Sequence, residues 1–167
     1  MKKVIKTIFI LSSFLVFSVL NYEIYQKEYT KAKGEIVFIE ISSTISSSFM
    51  QGKYMKLIYA VVRNQEFQEK KIVEGMRGYV VIGTDQNKVA IFKRFYDGKK
   101  LSNDEKLLRF YLKSDKKAYI IPDSFMFQEG HEKFYTQAQY GVFKFDAKGN
   151  YILLGLADAN FQMIQSS

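Results

Sequence analysis

Residues 52–59 read GKYMKLIY and begin the longest alternating run of apolar residues in the chain. A β-strand directs successive side chains to opposite faces of its sheet, so every second residue shares a face. One face is expected to carry Met55, Leu57, Tyr59 and Val61, and the other Tyr54, Lys56, Ile58, Ala60 and Val62. We therefore predict a strand over residues 53–63 that follows a turn at Gly52.

Length and composition predict one folded domain with an appendage. The chain has 167 residues, of which 47% are hydrophobic and 16% are aromatic, which is sufficient for a packed core. It contains no cysteine, and this excludes disulfides, catalytic thiolates and thiolate-bound metals. A single histidine also argues against a metal centre built from histidines. We predict no cofactor and no metal site.

The basic charge is not arranged as a nucleic-acid footprint. The formal net charge is +8, and residues 1–34 contribute half of it with six lysines against two glutamates. Beyond residue 34 the lysines and arginines are scattered among acidic residues instead of forming a stripe. Nucleic-acid binding requires a basic patch on one face, so we predict no nucleic-acid partner.

The first 34 residues predict a membrane anchor. Residues 1–6 form a basic head, and residues 7–20 carry no charge and are rich in Ile, Leu, Phe and Val. We predict a transmembrane signal anchor over residues 7–22, close to the ~20 residues that a span needs. The alternative is a secretory leader that is removed, although no Ala-x-Ala site follows the apolar run. Residues 23–34 are expected to continue as a juxtamembrane helical linker that ends at Gly34.

The remaining residues, 35–167, predict a mainly β, β-rich α+β domain. We expect an antiparallel sheet or a small barrel-like or sandwich-like fold with one or two short helices. Two hairpins are expected because polar turns separate their apolar runs: residues 77–84 with 89–95, and residues 140–145 with 151–156.

Shorter elements complete this prediction. Strands are expected over residues 35–41, 107–113 and 118–121, with Val37, Ile39 and Ile41 on one face of the first. The serine-rich residues 42–48 are expected to be a connection. Helical structure is expected at 101–106, where Ser102 and Glu105 have capping-box spacing, and a short helix or ordered turn at 128–137. The charged residues 64–74 suit a loop or a short helix.

Candidate functional residues are few. The sequence has no phosphate-binding glycine loop, nucleophile elbow or paired-histidine helix. The nearest approach to a catalytic cluster is Glu129 with His131, whose carboxylate and imidazole can share a proton. Asp123 and Phe127 are the neighbouring candidates, and a solvated loop is the alternative interpretation. Five tyrosines provide either a stacking face or ordinary strand packing: Tyr54, Tyr59, Tyr79, Tyr96 and Tyr111.

Two separate regions resemble the GDYXXLXY family of bacterial membrane-anchored proteins. GKYMKLIY is similar to the signature Gly-Asp-Tyr-x-x-Leu-x-Tyr at Gly52, Tyr54, Leu57 and Tyr59, whereas Lys53 stands in place of the aspartate. Residues 125–130, Tyr135, Ala138, residues 140–141 and residues 153–158 resemble the second half of that family in order and spacing. The resemblance implies a membrane anchor, a β-rich extracytoplasmic domain and an adjacent gene for a polytopic membrane protein. It implies no catalytic residues, and any function that depends on the signature aspartate is expected to be lost or altered at Lys53.

Three functional hypotheses follow. The first is a single-pass protein of the bacterial inner membrane, with its N-terminus in the cytoplasm by the positive-inside rule. Its domain would act as an accessory module for a polytopic membrane protein, with the lipid bilayer as its other partner. The second is an envelope hydrolase that uses carboxylates such as Asp123 and Glu129. The third is a binder of anionic lipid or polymer. We regard a non-enzymatic role as the first expectation.

Overall fold

The structure, a computed structural model, describes residues 2–48, 52–63, 75–113 and 117–165, with side chains from residue 4 and excluding those of 43–48 and 52–53. It contains a long helix, nine strands, one 3-10 turn and a short helix within those residues. They are α1 (Lys2–Lys33), β1 (Glu35–Ser48), β2 (Gly52–Tyr59), a 3-10 turn (Ala60–Val62), β3 (Arg77–Thr84), β4 (Ala90–Phe95), β5 (Lys106–Leu112), β6 (Ala118–Ile120), β7 (Ser124–Met126), α2 (Glu132–Tyr135), β8 (Tyr140–Phe145) and β9 (Tyr151–Ala157). The charged segment 64–74 lies outside the described residues.

β2 has the alternation that its sequence predicts. Met55, Leu57 and Tyr59 are buried, while Tyr54 and Lys56 on the other face are partly exposed. The predicted end of this strand at residue 63 is wrong, because the backbone leaves the sheet after Tyr59 and forms the 3-10 turn. That turn carries Val61 and Val62 into the core, so their apolar character reflects burial instead of strand pairing.

β1 is longer than predicted and connects two sets of strands. Its first half pairs with β8 and its second half pairs with β2, both antiparallel. The predicted connection over residues 42–48 is therefore wrong, since these serine-rich residues continue the strand. Pairing with β2 provides partners for the backbone N–H and C=O groups of these residues, which a serine-rich segment often satisfies in a turn instead. Gly52 pairs with Ser48 as the first residue of β2, so it is not itself the predicted turn.

The strands form a nearly closed, barrel-like arrangement of two antiparallel sheets. The sheet orders are β7-β2-β1-β8-β9 and β4-β3-β5-β6. They meet where the amide of Phe38 in β1 donates to the carbonyl of Lys88 before β4. They meet again where residues 121–123 join β6 to β7. The inward residues of both sheets share one core, which includes Val37, Ile39, Leu57, Val80, Leu108 and Phe143.

Both predicted hairpins are confirmed. β3 pairs with β4 and β8 pairs with β9, each with one irregularity in register. The predicted capping pair at 101–106 is confirmed, since Ser102 and Glu105 exchange two hydrogen bonds, but the turn does not extend into a helix because Lys106 enters β5 and pairs with Ile82. The strand pairing of β5 therefore takes precedence over the local capping signal.

α1 changes character along its length. Its apolar residues from Val4 to Leu20 are all exposed, as Phe14 illustrates with 73% of its surface accessible. It is long and apolar enough to cross a membrane. The helix continues without interruption through the predicted linker to Lys33, where Thr30 is buried against the domain.

Candidate functional site

The strand that carries the signature positions a corner of the barrel. The hydroxyl of Tyr59 donates a 2.7 Å hydrogen bond to the carbonyl of Pro122, and the amide of Leu57 donates to the carbonyl of Asp123 at 2.9 Å. Burial raises the pKa of Tyr59 well above its ordinary value, so the hydroxyl remains a donor. Tyr59 and Leu57 therefore hold the segment that joins the two sheets.

The other signature residues lie on the same strand. Tyr54 is half-buried on the opposite face and pairs with Met126 of β7. Lys53 occupies a strand position opposite Ser47, but its side chain lies outside the described residues. The expected loss or change of function at Lys53, where the family signature has aspartate, stays a prediction.

Asp123 forms an ion pair with Lys113 and accepts a hydrogen bond from Tyr111. Its Oδ2 accepts hydrogen bonds from the Tyr111 hydroxyl at 2.7 Å and from Lys113 Nζ at 2.9 Å. Burial opposes ionisation, but these two hydrogen bonds outweigh it and lower the pKa of the Asp123 carboxyl. Lys113 also lies 4.3 Å from the centroid of the Tyr119 ring. A carboxylate held ionised in this way is suited to fastening β5 to the corner and is a poor proton donor.

The remaining candidate residues follow β7. Phe127 stacks on Tyr135 at 5.1 Å between ring centroids, and His131 contacts the ring of Phe134 edge-on at 5.5 Å. Glu129 is exposed. Among the described contacts, no hydrogen bond or ion pair joins Asp123, Glu129 and His131, so the structure does not bring them together as a proton-sharing group. Nor does any group of three or more His, Asp or Glu side chains in the described ranges suit a metal ion.

The five tyrosines do not form one face. Tyr59 is buried in the core, whereas Tyr79 and Tyr96 are exposed and lie 6.5 Å apart between ring centroids. Tyr111 contacts Tyr119 instead. Ordinary packing and cross-strand pairing account for most of these rings.

A cleft of about 880 Å³ lies between the end of α1 and the barrel. α1 contributes Glu23, Gln26, Lys27 and Thr30 to one wall, and the opposite wall includes Tyr79, Arg109, Pro122, Met126, Lys148 and Tyr151. The volume of this helix cleft lies within the usual range of small-molecule sites. The sequence does not predict the cleft, because its barrel wall comes from four separate segments of the chain. The one available signal was the spacing of the helix residues, which places them on a single helical face.

The helix wall of this cleft is fixed to the barrel. Thr30 Oγ1 donates to Asp146 Oδ2 at 2.8 Å, and Lys144 Nζ donates to the carbonyl of Lys31 at 2.6 Å. Burial opposes ionisation of Asp146, but hydrogen bonds from Asn150 and Thr30 lower the pKa of its carboxyl. The end of α1 is therefore part of the folded domain.

A sequence model of the family described as GDYXXLXY protein matches residues 16–156 of this chain. The match covers the end of the apolar segment and most of the β domain. None of the curated proteins and none of the solved structures compared with the chain matches it.

Proposed function

Since the chain belongs to the GDYXXLXY protein family, we propose that it is a single-pass protein of the bacterial inner membrane. Its β domain lies on the extracytoplasmic face and acts as an accessory module for a polytopic membrane protein. The family resemblance, which implies an adjacent gene for such a partner, supports this role.

The course of α1 is the observation that carries this proposal. One continuous helix has a fully exposed apolar segment and then a segment that is hydrogen-bonded to the barrel through Thr30 and Lys31. A flexible linker would allow the domain to move relative to its membrane segment. A docked helix instead keeps the domain at a constant height and orientation above the bilayer, which favours a specific contact with one membrane partner.

The charge distribution supports the orientation. Lys2, Lys3 and Lys6 precede the apolar residues, and the positive-inside rule keeps such residues in the cytoplasm. Lys27, Lys31 and Lys33 follow the span, but Glu23, Glu28 and Glu35 lie among them. The hydrolase hypothesis has less support, because its carboxylate Asp123 has a lowered pKa and two hydrogen-bond partners.

Orientation is tested with single cysteines, which the chain otherwise lacks. A membrane-impermeant maleimide applied to intact spheroplasts is expected to label Asn103→Cys, which lies on an exposed turn, and to leave Lys3→Cys unlabelled until the cells are lysed. Labelling of Lys3→Cys alone in intact spheroplasts would show the opposite orientation and refute the proposed one.

The partner is tested by photo-crosslinking in native membranes. A photoreactive residue at Phe14, in the exposed apolar segment, is expected to give one discrete adduct with a polytopic membrane protein. The matched control places the same residue at Lys100, which is exposed on the β domain. Absence of an adduct from Phe14 and from the neighbouring positions Phe9 and Phe17 would refute the accessory role.

A further inference from the structure

The helix cleft contains unpaired positive charge. Its described lining includes Lys27, Arg109 and Lys148, but only one acidic residue, Glu23. Within the described part of the chain, none of the three cations forms an ion pair, whereas Lys93, Arg94, Lys99, Lys106 and Lys113 each pair with a carboxylate elsewhere. The cleft therefore has a net positive charge and suits an anionic ligand.

Arg109 is held in a defined position. Its Nη2 donates to the Tyr79 hydroxyl at 3.1 Å, and its guanidinium carbon lies 5.5 Å from the centroid of that ring. Its backbone amide donates to the Tyr151 hydroxyl at 3.3 Å. A guanidinium has five N–H donors in a planar fork that matches phosphate oxygens, and the contact with Tyr79 uses one of them. The others remain available for a phosphate group.

The same cleft has exposed apolar surface. Ile121 and Met126 line it with 41% and 60% of their surfaces accessible. Ile121 directly precedes Pro122, whose carbonyl accepts the hydrogen bond from the signature residue Tyr59, and Met126 follows at the end of β7. A ligand that carries both an anionic group and an apolar part would contact both kinds of surface, whereas a simple inorganic anion would use only the first.

The cleft lies beside the membrane segment. Its helix wall runs from Glu23 to Thr30, immediately after the predicted span at residues 7–22. Eight helical residues extend about 12 Å along the axis, so this wall begins at the level of the lipid head groups. Lipid can therefore reach the cleft from the adjacent leaflet.

We propose that the helix cleft binds the phosphate-bearing head group of an anionic membrane phospholipid. Arg109 holds the phosphate, Lys27 and Lys148 balance the remaining negative charge, and Ile121 and Met126 contact the apolar part of the lipid. The inference rests on the proposed membrane anchoring of α1. It adds to that proposal a ligand class and a site.

The test uses the full chain in nanodiscs and a single tryptophan as a reporter, because the chain has none of its own. Met126→Trp places the reporter on the cleft wall, and Ile91→Trp places it on an exposed position of β4 outside the lining residues. Brominated phosphatidylglycerol is expected to quench Met126→Trp more than brominated phosphatidylcholine does. The two brominated lipids should quench Ile91→Trp equally. Near-ultraviolet circular dichroism of the tyrosines verifies that each variant is folded.

Charge-matched variants then test the site. Arg109→Gln in the Met126→Trp chain is expected to weaken phosphatidylglycerol binding by about tenfold or more, the loss typical of a hydrogen bond to a charged group. Lys100→Gln removes an equal charge from an exposed residue outside the cleft and should leave binding unchanged.

The outcomes separate the two proposals. Equal quenching by both lipids, or equal effects of Arg109→Gln and Lys100→Gln, would overturn the lipid site while leaving the anchor intact. Failure of the chain to enter nanodiscs would overturn both. Inorganic phosphate that competes as well as soluble short-chain phosphatidylglycerol would overturn the lipid as the source of the phosphate.

Discussion

Removing one hydroxyl from the signature strand should loosen the corner between the two sheets. Tyr59→Phe deletes the donor to the Pro122 carbonyl, a 2.7 Å hydrogen bond across 63 residues of sequence. The ring remains, and with it the contact to Phe143 at 5.7 Å between centroids. The substitution therefore isolates the hydrogen bond from the packing of the side chain.

The expected loss is about 1 kcal/mol in the free energy of unfolding, the usual net value of such a bond. An orphaned acceptor that is fully buried costs more, but Pro122 is half-buried and lines the helix cleft, so water can replace the lost donor. For a domain of this size the loss corresponds to a melting temperature lower by about 3–5 °C.

Thermal unfolding followed by near-ultraviolet circular dichroism of the tyrosines measures this loss, because α1 in a detergent micelle does not dominate that signal. Hydrogen exchange should also become faster at the amide of Leu57, which donates to Asp123 beside Pro122. The control is Tyr54→Phe on the opposite face of β2, whose hydroxyl has no hydrogen-bond partner among the described residues. A loss from Tyr59→Phe no larger than that from Tyr54→Phe would refute the assigned role of the Tyr59 hydroxyl.

Two further predictions concern the corner and the helix junction. Asp123→Asn should destabilise the domain at neutral pH by about 1 kcal/mol, a value discounted for the partial exposure of the pair with Lys113. Folding lowers the pKa of the Asp123 carboxyl from 3.8, so its contribution to the free energy of unfolding is present above that value and disappears as pH falls through the lowered pKa. The urea midpoints of the wild type and of Asp123→Asn should therefore converge as the pH is lowered through this range. A difference between the two midpoints that stays constant with pH would contradict this role of Asp123. Gly34→Ala should weaken the docking of α1, since an added Cβ would collide with the backbone carbonyl of Thr30. Faster hydrogen exchange at residues 30–34 measures this effect, with the exposed Ala32→Ser as control, and unchanged exchange in Gly34→Ala would count against it.

Short-range sequence patterns correctly predict two elements of this fold. The alternation in β2 correctly places Met55, Leu57 and Tyr59 in the core, and the apolar residues of α1 correctly indicate a helix that could span a membrane. The two-residue period of β2 follows from strand geometry, and the signal in α1 is a continuous apolar run about as long as a membrane span requires. The serines of residues 42–48 predict a connection, and this prediction is wrong because backbone pairing with β2, which begins only four residues after Ser48, outweighs the local preference of serine for turns.

The candidate site shows the same limit. Proximity in the chain groups Asp123, Phe127, Glu129 and His131, but it does not reveal that Asp123 pairs with Lys113 across the corner. Nor does it reveal the helix cleft, whose walls come from residues 23–30 and from distant strands.

The β-rich class, the apolar N-terminal helix, the two hairpins and the family follow from the sequence alone, because each depends on alternation, on a continuous apolar run or on a short motif. The role of the signature strand is visible only in the folded chain, where Tyr59 and Leu57 hold a corner that is contributed by residues 122 and 123. The same is true of the end of α1, which docks on the barrel through Thr30 and Asp146. The physical reason is that these are single hydrogen bonds between residues far apart in the chain, and only the closed fold determines which donor meets which acceptor.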